Sequence, residues 1–297
     1  MVGRGELTDK AWARIEPLLP PVAGRGRYWR DHRQVINAIL WKLRTGAPWR
    51  DLPERYGPWK TAHERLRTWT ADGTWERILD QVVVKDDSVG NVEWTISVDS
   101  STVRAHQHSA GARKKGGCAT DWVEALAVDG EALGRSRGGL TSKIHLAVDG
   151  RGLPMSIILT AGQAGDNPQL LPLLDQINVG RAGPGRPRTR PDRVVADKAY
   201  SHPSTRAALR ERRIPFTCPE RRDQVQHRHA KGSAGGRPPA FDQAIYAGRN
   251  VVERCFNRLK QFRDLATRYA KRAAYYRAEI IIASIVLWLR TDLQDTA

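Results

Sequence analysis

Cysteine is nearly absent from this chain. Cys118, Cys218 and Cys255 stand singly and far apart, with no CxxC, so neither a disulfide framework nor a cysteine zinc site is indicated and a reduced, intracellular setting is expected. Long apolar runs are missing too. The longest, IIIASIVLWL (Ile280–Leu289), is well short of the ~20 residues that a bilayer-spanning helix needs. The N-terminal MVGRGELTDKAWARIEPLLP lacks the apolar core of a secretion signal. These absences lead to the expectation of a soluble, cytoplasmic protein without a membrane partner. No P-loop, GxSxG or GxGxxG occurs in a suitable strand–helix context, which removes support for nucleotide hydrolysis and serine-hydrolase chemistry. Acidic residues are scarce relative to basic ones: 32 Asp+Glu face 49 Lys+Arg, for a net charge of +17 and a pI near 10.3. Such an excess fits a polyanion partner, nucleic acid ahead of anionic membrane, since the basic residues do not lie opposite one continuous apolar face. What the chain does have is 40% hydrophobic content over 297 residues, enough for a real core.

Residues 1 to about 88 read as helices. LTDKAWARIEPLLP opens on a Thr8 or Asp9 cap and stops at Pro20; DHRQVINAILWKLRTG runs from an Asp31 cap to Gly46. GPWKTAHERLRTWTADG and TWERILDQVVV follow. Seven of the ten tryptophans fall here, and they are expected to fill the core of a small helical bundle. Such a bundle can also grip DNA, through Arg44, Arg50, Lys60, Arg65 and Arg67. From about 90 the period changes to that of strands. EWTISVDSSTV reads as a strand ending at Asp99, and GLTSKIHLAVDG and LPMSIILTAGQAGD as a hairpin. NPQLLPLLDQI reads as a helix, RVVADKAY as a strand ending at Asp197, SHPSTRAALRERR as a helix and IPFTCPE as a strand. Two basic, Gly/Pro-rich stretches, GRAGPGRPRTRPD and HRHAKGSAGGRPPA, read as loops. Two long helices close the chain. This order is that of an α/β fold with a ribonuclease-H-like mixed sheet flanked by helices. The expected division is a helical DNA-binding domain at 1–88 and a catalytic domain at 89–297.

Two carboxylates at the ends of short apolar strands, Asp99 and Asp197, invite comparison with a cage for hard divalent cations, which take oxygen ligands. Other acids compete. Asp149 and Asp129 read as turn residues, and Asp166 as a helix cap before Asn167-Pro168. A third acid lies in YAGRNVVERCFNRLK. On a helical wheel starting from Tyr246, Arg249, Glu253 and Lys260 fall at about 300°, 340° and 320°, so all four share an arc of about 60°. Val251, Val252, Cys255, Leu259 and Phe262 form the core stripe beside them. The polar row suits either a solvated surface helix or one carboxylate held among phosphate-binding cations. His106 and His108 fit phosphate contact or a solvated loop better than a transition metal, for want of further ligands. Trp122 is expected to pack in the core, with stacking on an unpaired base as the alternative.

Tyr246, Arg249, Glu253 and Lys260 fit the signature Y-x2-R-x3-E-x6-K, and the chain resembles the bacterial insertion-sequence DDE transposases of the IS-four and IS-five groups. SVDSSTVRAHQHSAGARKKGG, GRSRGGLTSKIHLAVDGRGLP, VVADKAYSH and the tail from Arg249 to Leu289 resemble the IS-five group, as does the helical entry region. DKAY replaces the DKGY of some relatives. The resemblance implies that Asp99, Asp197 and Glu253 are the catalytic, metal-binding triad, holding Mg²⁺ (Mn²⁺ as substitute), with two ions per site. It implies that Tyr246, Arg249 and Lys260 contact the backbone of the element's ends. Arg254, Arg258, Arg104, Lys114, Lys115 and Lys198 are further candidate DNA contacts. The implied reaction is cleavage at the element's terminal inverted repeats, then joining of the freed 3′-hydroxyl to target DNA. A homodimer or higher assembly on double-stranded DNA, associated with the nucleoid, would be needed to bring two ends to one target. Two rivals stay open: a ribonuclease-H-like nuclease without strand transfer, and a catalytically silent, domesticated DNA-binding regulator.

Overall fold

The computed structural model describes residues 5–21, 29–111, 129–136 and 138–290. Lys114, Lys115 and Trp122 therefore lie outside the described residues. Four helices lead: α1 (Asp9–Ile15), α2 (His32–Thr45), α3 (Trp59–Ala71) and α4 (Thr74–Ser88). Their ends are where the caps predict. The Thr8 hydroxyl accepts from Ala11 N at 3.2 Å and the Asp31 carboxylate from Gln34 N at 2.6 Å. Gly46 closes α2 at φ +67°, a left-handed conformation that favours glycine.

The sheet follows, from β1 (Thr95–Ala105), β2 (Gly134–Ser136), β3 (Gly139–Val148), β4 (Pro154–Ala161), β5 (Arg193–Ala196), β6 (Phe216–Thr217) and β7 (Thr267–Arg268). Interleaved are α5 (Gln107–Ala110), α6 (Leu170–Asp175), α7 (Pro203–Glu211), α8 (Arg222–Ala230), α9 (Gln243–Ala247), α10 (Asn250–Lys260), α11 (Arg263–Ala266) and α12 (Ala273–Arg290). β3 runs antiparallel to both β4 and β1, and β5 runs parallel to both β1 and β6. The main path β4–β3–β1–β5–β6 is the expected ribonuclease-H-like mixed sheet. β2 and β7 are short additions, pairing with β3 and β1; two or three residues carry no readable period.

Three expectations need correction. Asp99 is not at a strand end: β1 continues to Ala105 because β3 pairs with it from Ser97 to Arg104. Only the parallel pairing with β5 stops, at Val98↔Ala196. Of the seven early tryptophans, Trp69 and Trp75 are fully buried, whereas Trp29 is 41% exposed. The helices instead share one apolar cluster with the sheet, running from Leu7 to Leu289. α12 supplies much of it, packing against α4, α3 and β4. Finally, α8 forms where a basic, breaker-rich loop was expected to begin. Among the described residues no helix is long and apolar enough to cross a membrane.

Candidate active site

Strand pleating decides which side chains of β1 can meet. Neighbours alternate between faces, so Asp99 and Ser101 point one way and Ser100 the other. On the first side lies α10, whose Val252, Cys255 and Leu259 are buried against the sheet. That packing sets Glu253 and Lys260 at the rim. Arg249, just before α10, joins the two elements: its Nη1 donates to Asp99 Oδ2 at 3.1 Å and its Nη2 to Glu253 Oε1 at 2.6 Å. Lys260 Nζ donates to Ser101 Oγ at 2.7 Å. Asp197 follows β5 directly and caps the next turn, accepting from Ala199 N at 2.8 Å.

The electrostatics show these groups to be neighbours. Burial pushes the Asp99 carboxyl up; the Ser100 amide and Arg249 pull it down, while Asp197 pushes it further up. Arg249 is held in its charged form despite burial, by Asp99 and then Glu253. Asp99 and Glu253 are thus joined through Arg249, with Asp197 close enough to act on the Asp99 carboxyl.

Tyr246 is not on the same helix. A turn at Gly248–Arg249 separates α9 from α10, closed by hydrogen bonds three residues apart, Arg249 N to Tyr246 O and Val252 N to Arg249 O. The Tyr246 ring still lies 5.7 Å from the Arg249 guanidinium. The helix itself ends at Lys260. Arg258 turns inward, donating to the Gly152 carbonyl. Arg104 donates to Gly138 O at 3.0 Å from an exposed position, and Arg254 and Lys198 are exposed.

The opposite face of β1 holds a cluster that the sequence reading missed. Asp166 stands at the N-cap position of the short helical turn Asn167–Gln169, as expected, but its side chain makes no capping hydrogen bond there. Its Oδ1 accepts from Ser100 Oγ at 2.7 Å and from Lys143 Nζ at 2.9 Å. His145, fully buried, gives one ring nitrogen to Thr160 Oγ1 at 2.8 Å and lies 3.9 Å from Asp166 with the other. Burial drives the His145 pKa down to about 4. Tyr200, also fully buried, has its phenol pushed up first by burial and then by Asp166, Asp99 and Asp197. Lys143 and His145, two apart inside an apolar strand, were the available signal for a polar face.

No three His, Cys, Asp or Glu side chains among the described residues stand close enough to hold a metal ion as placed. The donor set nevertheless fits a hard divalent cation, because all three acids are carboxylates and two of them already hold a cation between them, the guanidinium of Arg249. A metal on Asp99 and Glu253 requires Arg249 to give way.

Comparison with known proteins gives the family. Residues 7–79 match the family described as "Putative transposase of IS4/5 family", and residues 90–289 that described as "Transposase DDE domain". A Burkholderia cepacia protein named "Putative transposase for insertion sequence element IS402" is 37% identical over 144 residues, 48% of this chain and 60% of that protein. A Brucella ovis protein named "Putative transposase for insertion sequence element IS6501" is 31% identical over 151 residues, 51% of this chain and 100% of that protein. "Uncharacterized protein y4sN" of Sinorhizobium fredii is 38% identical over 113 residues, 37% of this chain and 86% of that protein. No solved structure matches. With two thirds of its length matched to the DDE domain and its first helices to the IS4/5 family, the chain belongs to the IS4/IS5-family DDE transposases, enzymes that act on DNA with divalent metal.

Proposed function

We propose that the protein cuts DNA at the ends of its own insertion element and joins each freed 3′-hydroxyl to target DNA at the same site. The observation that carries this reading is the Arg249 bridge. It joins a carboxylate from the first long strand to one on a late helix, beside a third at the end of β5. Asp99, Asp197 and Glu253 would hold the Mg²⁺ ions, Mn²⁺ substituting, two to a site. Divalent ions held there would supply activation of an attacking oxygen and offset charge on the phosphate and leaving group.

The chain's own groups do the positioning. Arg249 offers a planar fork suited to bidentate phosphate contact once it leaves the carboxylates. Lys260 adds a point charge on the same face, and Tyr246 flanks the guanidinium. Exposed Arg254, Lys198 and Arg104 extend the cationic surface, and Lys114 and Lys115 would add to it. Residues 1–88 serve as the DNA-binding domain and 89–297 as the catalytic one. Two copies or more assemble on the inverted repeats, on nucleoid DNA in the bacterial cytoplasm.

The test is an incubation of the full chain with DNA carrying the element's own ends and a target duplex, in Mg²⁺ or Mn²⁺. Wild type should cut and join. Asp99→Ala, Asp197→Ala and Glu253→Ala should bind the ends and do neither. Cutting without joining would instead identify a nuclease, and binding without cutting a DNA-binding regulator. Full activity in any one variant would remove that residue from the triad.

A further inference from the structure

Helix α8 (Arg222–Ala230) has no ordinary reason to be where it is. Its sequence, RDQVQHRHA, contains no buried residue. A helix that is polar all round gains little from packing. Hydrogen bonds to the turn after Asp197 hold it instead. Arg221, at its N-cap, donates from Nε to Lys198 O at 3.1 Å and from Nη2 to Ala199 O at 3.2 Å, and Gln224 Nε2 donates to Ser201 O at 3.1 Å. The following loop folds back tightly. A Cβ on Gly235 would come within 2.1 Å of the Arg228 carbonyl oxygen, so only glycine fits there.

Between α7, α8 and this loop lies a cavity of about 390 Å³, lined among others by Arg206, Arg210, Arg228, Lys231, Arg237 and Glu220. Arg206 is occupied by the Cys218 carbonyl at 2.8 Å, and Arg228 by Glu220. Arg210, Lys231 and Arg237 are exposed and have no side-chain partner among the described residues. The result is an ordered, unneutralised cationic groove tied to the turn that carries Asp197.

We propose that α8 and its loop are an arm that grips the backbone of the target duplex as it enters the catalytic cleft. The charge fits phosphate, and contacts to a phosphate backbone carry no sequence information, as suits a partner of variable sequence. The anchoring to Lys198, Ala199 and Ser201 couples the arm to the catalytic turn. Tyr246, Arg249 and Lys260 belong to α9, α10 and the turn between them, which leaves the arm for a second DNA segment. This assignment of target rather than end DNA rests on the transposase reading above.

The experiment compares full-length wild type with Lys231→Ala/Arg237→Ala and with a charge-matched control, Arg181→Ala/Arg186→Ala, in the loop before β5 and so at the opposite end of that strand from Asp197. Binding of a random-sequence duplex is measured against salt, and joining of precut element ends to that duplex is measured in parallel. The arm variant should lower the slope of log affinity against log salt by about 2, or about 0.9 per lost phosphate contact. It should also join on the order of tenfold less, with the control unchanged in both. A wild-type slope in the arm variant, or an equal drop in the control, overturns the arm. Reduced end binding in place of reduced joining overturns its assignment to target. If wild type fails to join precut ends at all, the transposase reading fails, and the slopes still decide whether the groove grips DNA.

Discussion

Arg249 Nη1 stands 3.1 Å from Asp99 Oδ2 across 150 residues of chain. The pair is less than a quarter exposed on either side, so it stabilises the metal-free fold while occupying a carboxylate that a metal bound as proposed would share. Arg249→Ala should cost about 1 kcal/mol, seen as a melting temperature lower by about 2–3 °C without metal. Added Mn²⁺ should then raise the melting temperature more than it does in wild type, because its competitor is gone. Equal Mn²⁺ shifts in the two proteins would mean that Arg249 does not compete.

Gly152, in the turn between β3 and β4, has φ +78°, and a Cβ there would lie 2.8 Å from the Val251 carbonyl oxygen on α10. Gly152→Ala should destabilise the fold by about 1–2 kcal/mol through backbone conformation alone. It should also push α10 outward and so impair DNA cleavage beyond what the stability loss explains. Normal cleavage at a temperature where the variant is fully folded would show that the turn does not position Glu253.

Lys42, Asp264 and Glu279 form a buried group that ties α2 to α11 and α12. Burial, then the neighbouring Asp264, pushes the Glu279 carboxyl well above the usual carboxylate range, the direction that favours its protonated form. Glu279→Gln should therefore alter stability by less than about 1 kcal/mol at pH 7, while Asp264→Asn takes from Lys42 its nearer carboxylate partner, leaving Glu279 at 3.6 Å, and should cost about 3 kcal/mol. Chemical denaturation of both variants settles it; comparable losses would show Glu279 to be ionised.

Burial lifts the Asp149 carboxyl to about 6, against the pull of amides from Leu153, Glu93 and Arg151. Its folded pKa lies above the unfolded value near 3.9, so the folded state binds the extra proton between about pH 4 and 6. Its stabilising contribution is complete below pH 4 and is lost as pH rises through 6, amounting to about 2–3 kcal/mol by pH 7. Asp149→Asn should remove that slope, read as a smaller melting-temperature difference between pH 5 and pH 7.5 than in wild type. An unchanged difference would mean that the group titrates normally.

The sequence by itself determined the helical beginning, the hairpin, the strand that ends at Asp197 and the buried stripe of α10, because period and cap chemistry are local. The spacing of Tyr246, Arg249, Glu253 and Lys260, read through the family resemblance, also singled out Arg249 and Glu253, which the structure joins. Tertiary structure alone decided the rest. β1 continues past Asp99 because a distant strand offers its backbone groups partners, and no local pattern reports that. The helix breaks at Gly248–Arg249, which moves Tyr246 off the common wheel yet keeps it beside Arg249. Asp166 reads as a cap before proline, but the fold sets it against Ser100 and Lys143, on strands whose pairing brings their polar side chains to one face. A polar helix such as α8 has no apolar period to reveal it, since its place depends on hydrogen bonds to a turn made elsewhere in the chain.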